Sequence, residues 1–459
     1  MSFGDSATVK ALQIAPAYTT FRSKYKLLQK SQWWTAEQLE GYQLQQLHKL
    51  LTHAYSNVPY YAKVFDERGL TPRDICDFDD LEKLPFLTRD IVRKNVGALK
   101  ARNYAPHKFE YVTTGGSTGI PLGFYYEKGA SRAREWAFIR TLWGRAGYKF
   151  TDKCAVLRGS VVETADDGVY WKPAALGRWL ILSSYHMNDA SLPQYIARIR
   201  AFKPKFVWAY PSTITILANF MRKHEVEPFA TVKAILCGSE NLYPWQRDLL
   251  EHVFRCRVFS WYGHSEMGAL AGECEMGTAY HVFAEYGLIE LISPDGRAIS
   301  NAGERGEIVT TGFNNFIFPL IRYRTGDFAT YSDSDCACNR AYKILQSVEG
   351  RWLQELIVGQ NHRIFPITAI NLHSDVYDNV EQFQFHQERE GELTLNVVKG
   401  ANYTEEDSRR IHRELVEKLG RDMKLEIEFV DHIDRTQAGK FKFIVQKLPV
   451  DHLMGYRYE

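Results

Sequence analysis

Apolar residues recur at Leu47, Leu50, Leu51 and Ala54, the three- and four-residue spacing of a single helical face. Thr35 stands ahead of the run with Gln38 three positions on, a pair able to cap a first turn reciprocally, and Pro59 closes it. The pattern predicts an amphipathic helix that ends before Pro59. Beyond it, Pro59-Tyr60-Tyr61, Gly69-Leu70-Thr71-Pro72 and Leu84-Pro85-Phe86-Leu87-Thr88-Arg89-Asp90 alternate turn residues with short apolar stretches. Residues 1–110 therefore read as a mostly helical portion packed on a larger domain.

The period changes at Cys154. Short β-prone runs follow at Cys154-Ala155-Val156-Leu157, Phe206-Val207-Trp208-Ala209-Tyr210, Ala234-Ile235-Leu236-Cys237 and Val258-Phe259-Ser260-Trp261-Tyr262. Helical stretches from Leu192 to Phe202 and from Ser212 to Lys223 lie between them, so the segment up to about Ile321 predicts βα units and a mostly parallel sheet. Ligands of such sheets bind beyond the carboxyl ends of the strands. Three of those ends carry Tyr210-Pro211-Ser212, Gly238-Ser239-Glu240 and Tyr262-Gly263-His264-Ser265-Glu266. After Arg351, strands at Arg363-Ile364-Phe365, Val380 to Phe385, Leu393 to Val398 and Leu425 to Val430 interleave with helices at Thr368 to Ser374 and Glu405 to Leu419. This β-α-β-β-α-β order is that of a small α+β, ferredoxin-like domain, which sets expected boundaries of 1–351 and 352–459.

Composition narrows the setting. The 459 residues are 45% hydrophobic and 24% charged, enough for at least one large core and for more than one domain. A formal charge of +2 without a Lys/Arg stripe gives no electrostatic case for nucleic acid. Met1-Ser2-Phe3-Gly4-Asp5 lacks a basic segment leading into an apolar core, and no later run is long and apolar enough to span a bilayer. A cytoplasmic, membrane-free protein is expected. Its seven cysteines are an odd number thinly spread, which argues for reduced thiols and against a disulfide framework.

The chemistry-bearing stretch is Val112-Thr113-Thr114-Gly115-Gly116-Ser117-Thr118-Gly119-Ile120-Pro121, followed by the strand-like Leu122-Gly123-Phe124-Tyr125-Tyr126. Glycines let the backbone bend and present successive N–H groups, and the hydroxyls add short donors, a combination suited to phosphate oxygens in what reads as a hairpin. It is not the lysine-bearing phosphate loop, because Ile120-Pro121 follows Gly119. Taken alone, the stretch also reads as a plain turn. Downstream, Tyr262 is suited to stacking a base, Ser265 to a phosphate and Glu266 to magnesium. The bland alternative makes Glu266 a first-turn acid at the start of a helix. Phe318-Pro319-Leu320-Ile321-Arg322-Tyr323-Arg324-Thr325-Gly326-Asp327 reads as a strand closing in a glycine turn, with Asp327 able to accept from both ribose hydroxyls.

The ordered series Thr113 to Gly119, Tyr262 to Glu266, Tyr323 to Asp327, Gly350-Arg351 and Gly439-Lys440 resembles the adenylate-forming ligases, and within them the phenylacetate-CoA ligase and CapK branch. Leu51-Thr52-His53-Ala54-Tyr55-Ser56-Asn57-Val58-Pro59-Tyr60-Tyr61, Tyr210-Pro211-Ser212 and Pro319-Leu320-Ile321-Arg322-Tyr323 support the resemblance across nearly the whole chain. It implies a large adenylation domain with a small C-terminal lid. It also implies activation of an aryl or other carboxylic acid as acyl-AMP, then transfer to CoA, a carrier-protein thiol or an amine. The alternatives kept beside this are a nucleotidylyltransferase that leaves AMP on its acceptor and a non-catalytic, zinc-stapled nucleotide-binding scaffold. Homodimers are common in the branch.

Position by position, the resemblance gives Thr113, Thr114, Gly115, Gly116, Ser117, Thr118 and Gly119 to the β- and γ-phosphates of ATP. Gly238, Ser239 and Glu240 would line the adenine pocket, with Tyr262 and Gly263 flanking the base. Ser265 and Glu266 would serve the α-phosphate and Mg2+, Asp327 the ribose, and Arg351 the ribose or phosphate side. Lys440 would be the mobile catalytic lysine, with Lys442 a nearby alternative, and Tyr185, His186 and Tyr210 would border the acyl site. Gly350-Arg351 is followed by Trp352-Leu353-Gln354, where the family usually has Asp or Lys at the hinge.

Cys274 and His281 lie seven positions apart, and Cys336-Ala337-Cys338 returns in a Ser/Asp-rich turn, so four ligands are available for a tetrahedral site. On spacing alone three free thiols and a surface histidine fit equally well. Some members of the CapK branch carry a zinc site with this arrangement, and the resemblance implies a closed structural Zn2+ held by Cys274, His281, Cys336 and Cys338.

Overall fold

The computed structural model describes residues 16–113, 122–160, 162, 168–184, 186–187, 190–240, 242, 244–293, 295–349, 356–360, 363–366, 374–377, 379–400, 402–420, 423–433 and 444–448. Thr114 to Gly119, Tyr185, Arg351, Lys440, Lys442 and all but the last residue of the helix expected over Thr368 to Ser374 lie outside the described residues.

The N-terminal portion is helical: α1 (Pro16–Ser31), α2 (Ala36–Asn57), α3 (Pro59–Glu67) and α4 (Arg89–Lys94). Thr35 and Gln38 form the expected capping box on α2, and Pro59 occupies the first turn of α3, where a missing N–H costs nothing. Leu39, Leu47, Leu50, Leu51 and Ala54 are buried along one face of α2. Each leucine withdrawn from water in this way contributes roughly 1.5–3 kcal/mol. A hairpin of β1 (Phe109–Thr113) and β2 (Gly123–Glu127) carries the glycine-rich loop between its strands. Helix α5 (Ser131–Arg145) then packs along α1.

One sheet dominates the middle of the chain. Its strands are β3 (Cys154–Ser160), β4 (Trp171–Ala174), β5 (Trp179–Ser183), β6 (Phe206–Ala209), β7 (Ala234–Gly238), β8 (Arg257–Gly263), β9 (Leu270–Gly272), β10 (Tyr280–Val282), β11 (Gly287–Ile292), β12 (Ala298–Ile299), β13 (Arg305–Gly312), β14 (Tyr323–Tyr331) and β15 (Ile344–Glu349). They stand in the order β12-β11-β13-β14-β15-β10-β9-β8-β7-β6-β3-β5-β4. Helices α6 (Leu192–Phe202), α7 (Pro211–Lys223) and α8 (Pro244–Phe254) connect strands of the β8-β7-β6-β3-β5 block, which is parallel as predicted.

Beyond β8 the sheet is antiparallel, which corrects the expectation of a mostly parallel segment up to Ile321. The reason lies in the connections: after Gly263 the chain turns back through short links with room for no crossover helix. The parallel block is buried on both faces. Val156, Trp208, Leu236 and Trp261 pack toward Phe138, Leu142 and Trp143 of α5, and Leu157, Ala209, Ile235 and Cys237 pack toward Tyr195, Leu217 and Leu250 of the connecting helices. This explains why those runs are continuous in hydrophobicity and not alternating.

Thr325-Gly326-Asp327 is not the closing turn of a strand. The strand β14 runs through it, and Gly326 at φ +75° sits opposite the register shift between Glu307 and Val309, a bulge that only glycine accommodates without strain.

Toward the C-terminus, β16 (Leu356–Val358) and β17 (Ile364–Pro366) form a two-stranded ladder, and β18 (Val380–Gln387), β19 (Glu392–Lys399), β20 (Lys424–Phe429) and β21 (Ile444–Gln446) form a four-stranded sheet in the order β20-β19-β18-β21. Helix α9 (Glu405–Leu419) buries Ile411, Leu415 and Leu419 with Phe383, Phe385 and Leu395. The domain is α+β as expected, with one strand reassigned. The Gly359 N–H donates to Arg363 O and folds Ile364–Pro366 back onto Leu356–Val358, and the fourth place in the sheet is taken by Ile444–Gln446.

Candidate active site

The turn from Gly263 to Leu270 is built on close approaches at two glycines. A Cβ on Gly263 would meet Leu270 Cδ1 at 2.7 Å, and one on Gly268 would meet Thr310 Oγ1 at 2.1 Å. Met267 holds φ +57° and bonds back to His264 O, so His264-Ser265-Glu266-Met267 is a tight turn into an antiparallel strand. No helix follows, which removes the reading of Glu266 as a helix-dipole acid.

The Glu266 side chain is buried and surrounded. It accepts from Tyr323 OH at 3.0 Å, lies 3.3 Å from His264 Nδ1 and stands 3.6 Å from an Arg89 guanidinium nitrogen. Arg89 Nε donates in turn to Tyr323 OH. Burial alone would raise the Glu266 pKa, yet the His264 bond and the Arg89 charge prevail and hold it at about 2. The carboxylate is therefore ionised at any working pH, as a divalent-cation ligand must be. Arg89 arrives there because Leu87 exchanges backbone bonds with Arg322 O and Arg324 N–H while Thr88 caps α4 through Ile91 N–H. Arg322, at φ +51°, grips both Glu290 oxygens at 2.8–3.2 Å and donates to Leu84 O, which pins the approach segment.

Two further contacts draw the other positions in. Tyr262 OH donates to Asp327 Oδ2 at 3.0 Å, so the two residues assigned to base and ribose share a bond. Tyr126 OH, from β2, donates to Ser265 O and ties the hairpin to the Glu266 turn. Thr113 is the last residue of β1 on that hairpin, opposite Gly123. Gly238 and Ser239 lie at the end of β7, next to β8; a Cβ on Gly238 would stand 2.4 Å from the Trp261 indole, so glycine is what lets that ring lie across the strand end. Ser239 takes φ +71° just beyond, and Glu240 follows. His186 is bonded to Ser183 Oγ at 2.7 Å and stacked on Tyr170, at the carboxyl end of β5. Tyr210 caps β6.

The structure thus brings together Tyr262, Ser265, Glu266, Asp327 and the Thr113 hairpin. Arg89, Tyr323 and His264 complete the cluster without having been singled out from sequence. The available signal was the Thr88 cap immediately followed by an arginine, which has no meaning until the register of β14 is known.

A second, half-buried acid lies near this cluster. Glu135 of α5 accepts from Tyr286 OH, and burial pushes its carboxyl up to about 7. The native state then holds a proton that the unfolded chain releases above about 4.5, so stability falls as pH rises from about 4.5 to 7. Glu135→Gln is expected to flatten the decline in Tm between pH 5 and 7.5, leaving the share due to Glu273, which burial also raises to about 7. An unchanged slope in thermal melts of the variant would remove Glu135 from that account.

The cysteine set converges as well. Register places His281 opposite Gly272 and Ile344, Cys274 stands two residues past the end of β9, and a turn closed by Asn339 N–H to Cys336 O returns Cys336 and Cys338 to the same place. Cys274 and Cys336 sulfurs are 3.5 Å apart, Cys338 Sγ is 3.2 Å from His281 Nε2, and all four donor atoms fall within 4.8 Å of one another. His281 is fully buried, so the alternative of a surface histidine is excluded. Bonds of about 2.3 Å from zinc would hold sulfurs nearly 4 Å apart, which these separations fit.

Comparison with known proteins gives consistent results. Residues 356–447 match the CapK C-terminal domain. Protein CapK of Staphylococcus aureus is 24% identical over 423 residues, covering 88% of this chain and 89% of its own. The phenylacetate-coenzyme A ligase of Aromatoleum evansii is 26% identical over 438 residues, covering 90% and 95%. Among solved structures, 2-hydroxyisobutyryl-CoA ligase in complex with 2-HIB-AMP and CoA superposes with a TM-score of 0.62 at 18% identity, covering 92% of both chains. No helix among the described residues is long and apolar enough to cross a membrane.

Proposed function

We propose that this chain, whose C-terminal part is of the CapK type and whose fold is that of the adenylate-forming CoA ligases, is an ATP-dependent acid ligase. A carboxylic acid attacks the α-phosphorus of ATP, pyrophosphate leaves, and the acyl-adenylate then passes its acyl group to the thiol of CoA. The observation that carries this reading is the convergence on one turn of an ionised buried carboxylate, Glu266, with the bonded Tyr262–Asp327 pair and the hairpin held by Tyr126.

Each part has a task in that reaction. The Thr113 to Gly119 loop cradles the β- and γ-phosphates through N–H groups and hydroxyls, Tyr262 flanks adenine beside Gly238-Ser239-Glu240, and Asp327 accepts from the ribose. Glu266 would hold magnesium, which would neutralise charge developing on the phosphate oxygens. Arg89 and Tyr323 keep the Glu266 carboxylate oriented. Ser265 serves the α-phosphate, Arg351 the ribose or phosphate side, and Lys440 supplies the ammonium that draws the acid and the phosphate together. Residues 352–459 act as the lid that carries Lys440 over residues 1–351, and Tyr185, His186 and Tyr210 border the acid. Cys274, His281, Cys336 and Cys338 would hold a structural Zn2+, since four protein ligands would leave no position open for chemistry.

Acid-dependent exchange of radiolabelled pyrophosphate into ATP, over a panel of aryl and aliphatic acids with magnesium, tests the reading. Exchange with at least one acid, followed by acyl-CoA formation when CoA is added, is expected. AMP retained covalently on the product would favour nucleotidyl transfer, and no exchange with any acid would refute the ligase. Lys440→Ala is expected to slow exchange about 100-fold or more with little change in ATP affinity, since its contact strengthens mainly in the transition state. Equal losses in binding and rate, measured by ATP titration beside exchange, would move Lys440 out of that role.

A further inference from the structure

The parallel strands align a row of residues at their carboxyl ends. Leu157 pairs with Ala209, Ala209 with Cys237 and Gly238 with Trp261, so Arg158, Tyr210, Gly238 and Trp261 stand level across four adjacent strands. The Arg158 guanidinium lies 4.6 Å from the ring centres of both Trp208 and Tyr210 and 5.8 Å from that of Trp261. One N–H donates to Ser239 Oγ. Arg134, Arg247, Arg322, Arg324 and Arg340 are each paired to a carboxylate, whereas no carboxylate pairs with Arg158 among the described residues.

A guanidinium has five N–H donors in a planar fork that matches a carboxylate. One of these donors goes to Ser239 Oγ, and no carboxylate among the described residues takes the others.

The position also selects what can reach it. Glu266 and Asp327 lie at and beyond β8 on its antiparallel side, whereas Arg158 springs from β3 on the other side and its guanidinium lies over Tyr210, the residue assigned to the acid's border. An acid whose reacting carboxyl meets the nucleotide near β8 would present its opposite end to Arg158.

We propose that Arg158 is a specificity-determining residue that receives a second anionic group of the substrate, so that the acid activated here is a diacid with its carboxylates at opposite ends of an apolar body. This rests on the ligase reading for the identity of the site, while the binding step stands by itself. A charge-assisted, bidentate pair in a partly desolvated crevice favours the diacid about 10- to 100-fold.

The test uses two matched pairs, phenylacetate against 4-carboxyphenylacetate and hexanoate against adipate, with the full chain, Arg158→Met and Arg158→Lys. In pyrophosphate exchange the unmodified chain is expected to prefer at least one diacid about 10- to 100-fold in kcat/KM. Arg158→Met removes that preference through KM with the monoacid unaffected, and Arg158→Lys restores part of it. Preference for the monoacids, or a diacid preference untouched in Arg158→Met, overturns the proposal. Because Trp208 and Trp261 touch the guanidinium, diacid binding is also expected to change tryptophan emission in a saturable way that Arg158→Met abolishes. That result without exchange would uphold the anion subsite while refuting the ligase; no saturable change with either diacid would overturn the subsite itself.

Discussion

Glu266→Gln is expected to lower acid-dependent pyrophosphate exchange about 100- to 1,000-fold, the range seen when a preorganised group opposite developing charge is removed. The substitution preserves volume and an oxygen for Tyr323, so the turn from His264 to Met267 keeps its shape. What it removes is the negative charge against Arg89 and His264, and with it the carboxylate proposed to hold magnesium. The magnesium concentration needed for half-maximal exchange should rise, while ATP affinity measured without magnesium should change little. Since the Glu266 carboxyl is held at about 2, its stabilising contribution is complete above the unfolded value near 4.5 and is lost only as pH falls from there toward 2. Exchange between pH 6 and 8 should therefore show no titration from this residue. A variant within threefold of the original at all magnesium concentrations would sink the assignment.

The double substitution Cys336→Ser with Cys338→Ser is expected to reduce zinc from about one per chain to none by elemental analysis and to lower Tm by more than about 5 °C. Its size reflects what the four residues join. Cys274 and His281 bracket the β9–β10 hairpin, and Cys336 and Cys338 close the connection between β14 and β15, so one ion would lock four strands of the antiparallel half. Serine fits the space of cysteine but is a poor zinc ligand, which separates loss of metal from loss of packing. A preparation free of metal yet fully folded and active would rule the site out.

Much of the N-terminal portion and of the parallel half could be read directly from the chain, because local signals and global placement agree there. The helix over Leu192–Phe202, the capping box of α2 and the hairpin around the glycine-rich loop are each set by neighbours within a few residues. The antiparallel half was not legible in that way. Its strands alternate only weakly, and the short links between them carry no periodic pattern, so a run such as Phe318 to Asp327 looks like a strand ending in a turn until Glu307 and Val309 are seen to flank the Gly326 bulge. The candidate site divides likewise. Tyr262, Glu266 and Asp327 sit in motifs whose residue types announce polar chemistry. Arg89 and Arg158 are single arginines whose meaning depends on which strand lies beside them, and no stretch of sequence records that.

The helices at the start of the chain are sewn to its later half. Gln32 receives a bond from Arg340 across 308 positions, Ser31 bonds to Glu285, Gln43 donates to Gly287 O, and Tyr61 OH donates to Pro319 O. A ribosome delivers α1 to α3 first, yet the surfaces that cover them emerge some 300 residues later, on the order of 15–60 seconds at ordinary elongation rates. During that interval the apolar stripe of α2 has only its near neighbours such as Phe65, Ile75 and Leu81 for cover, and a nascent polypeptide halted before the later half would present the rest of it to chaperones instead of to the sheet.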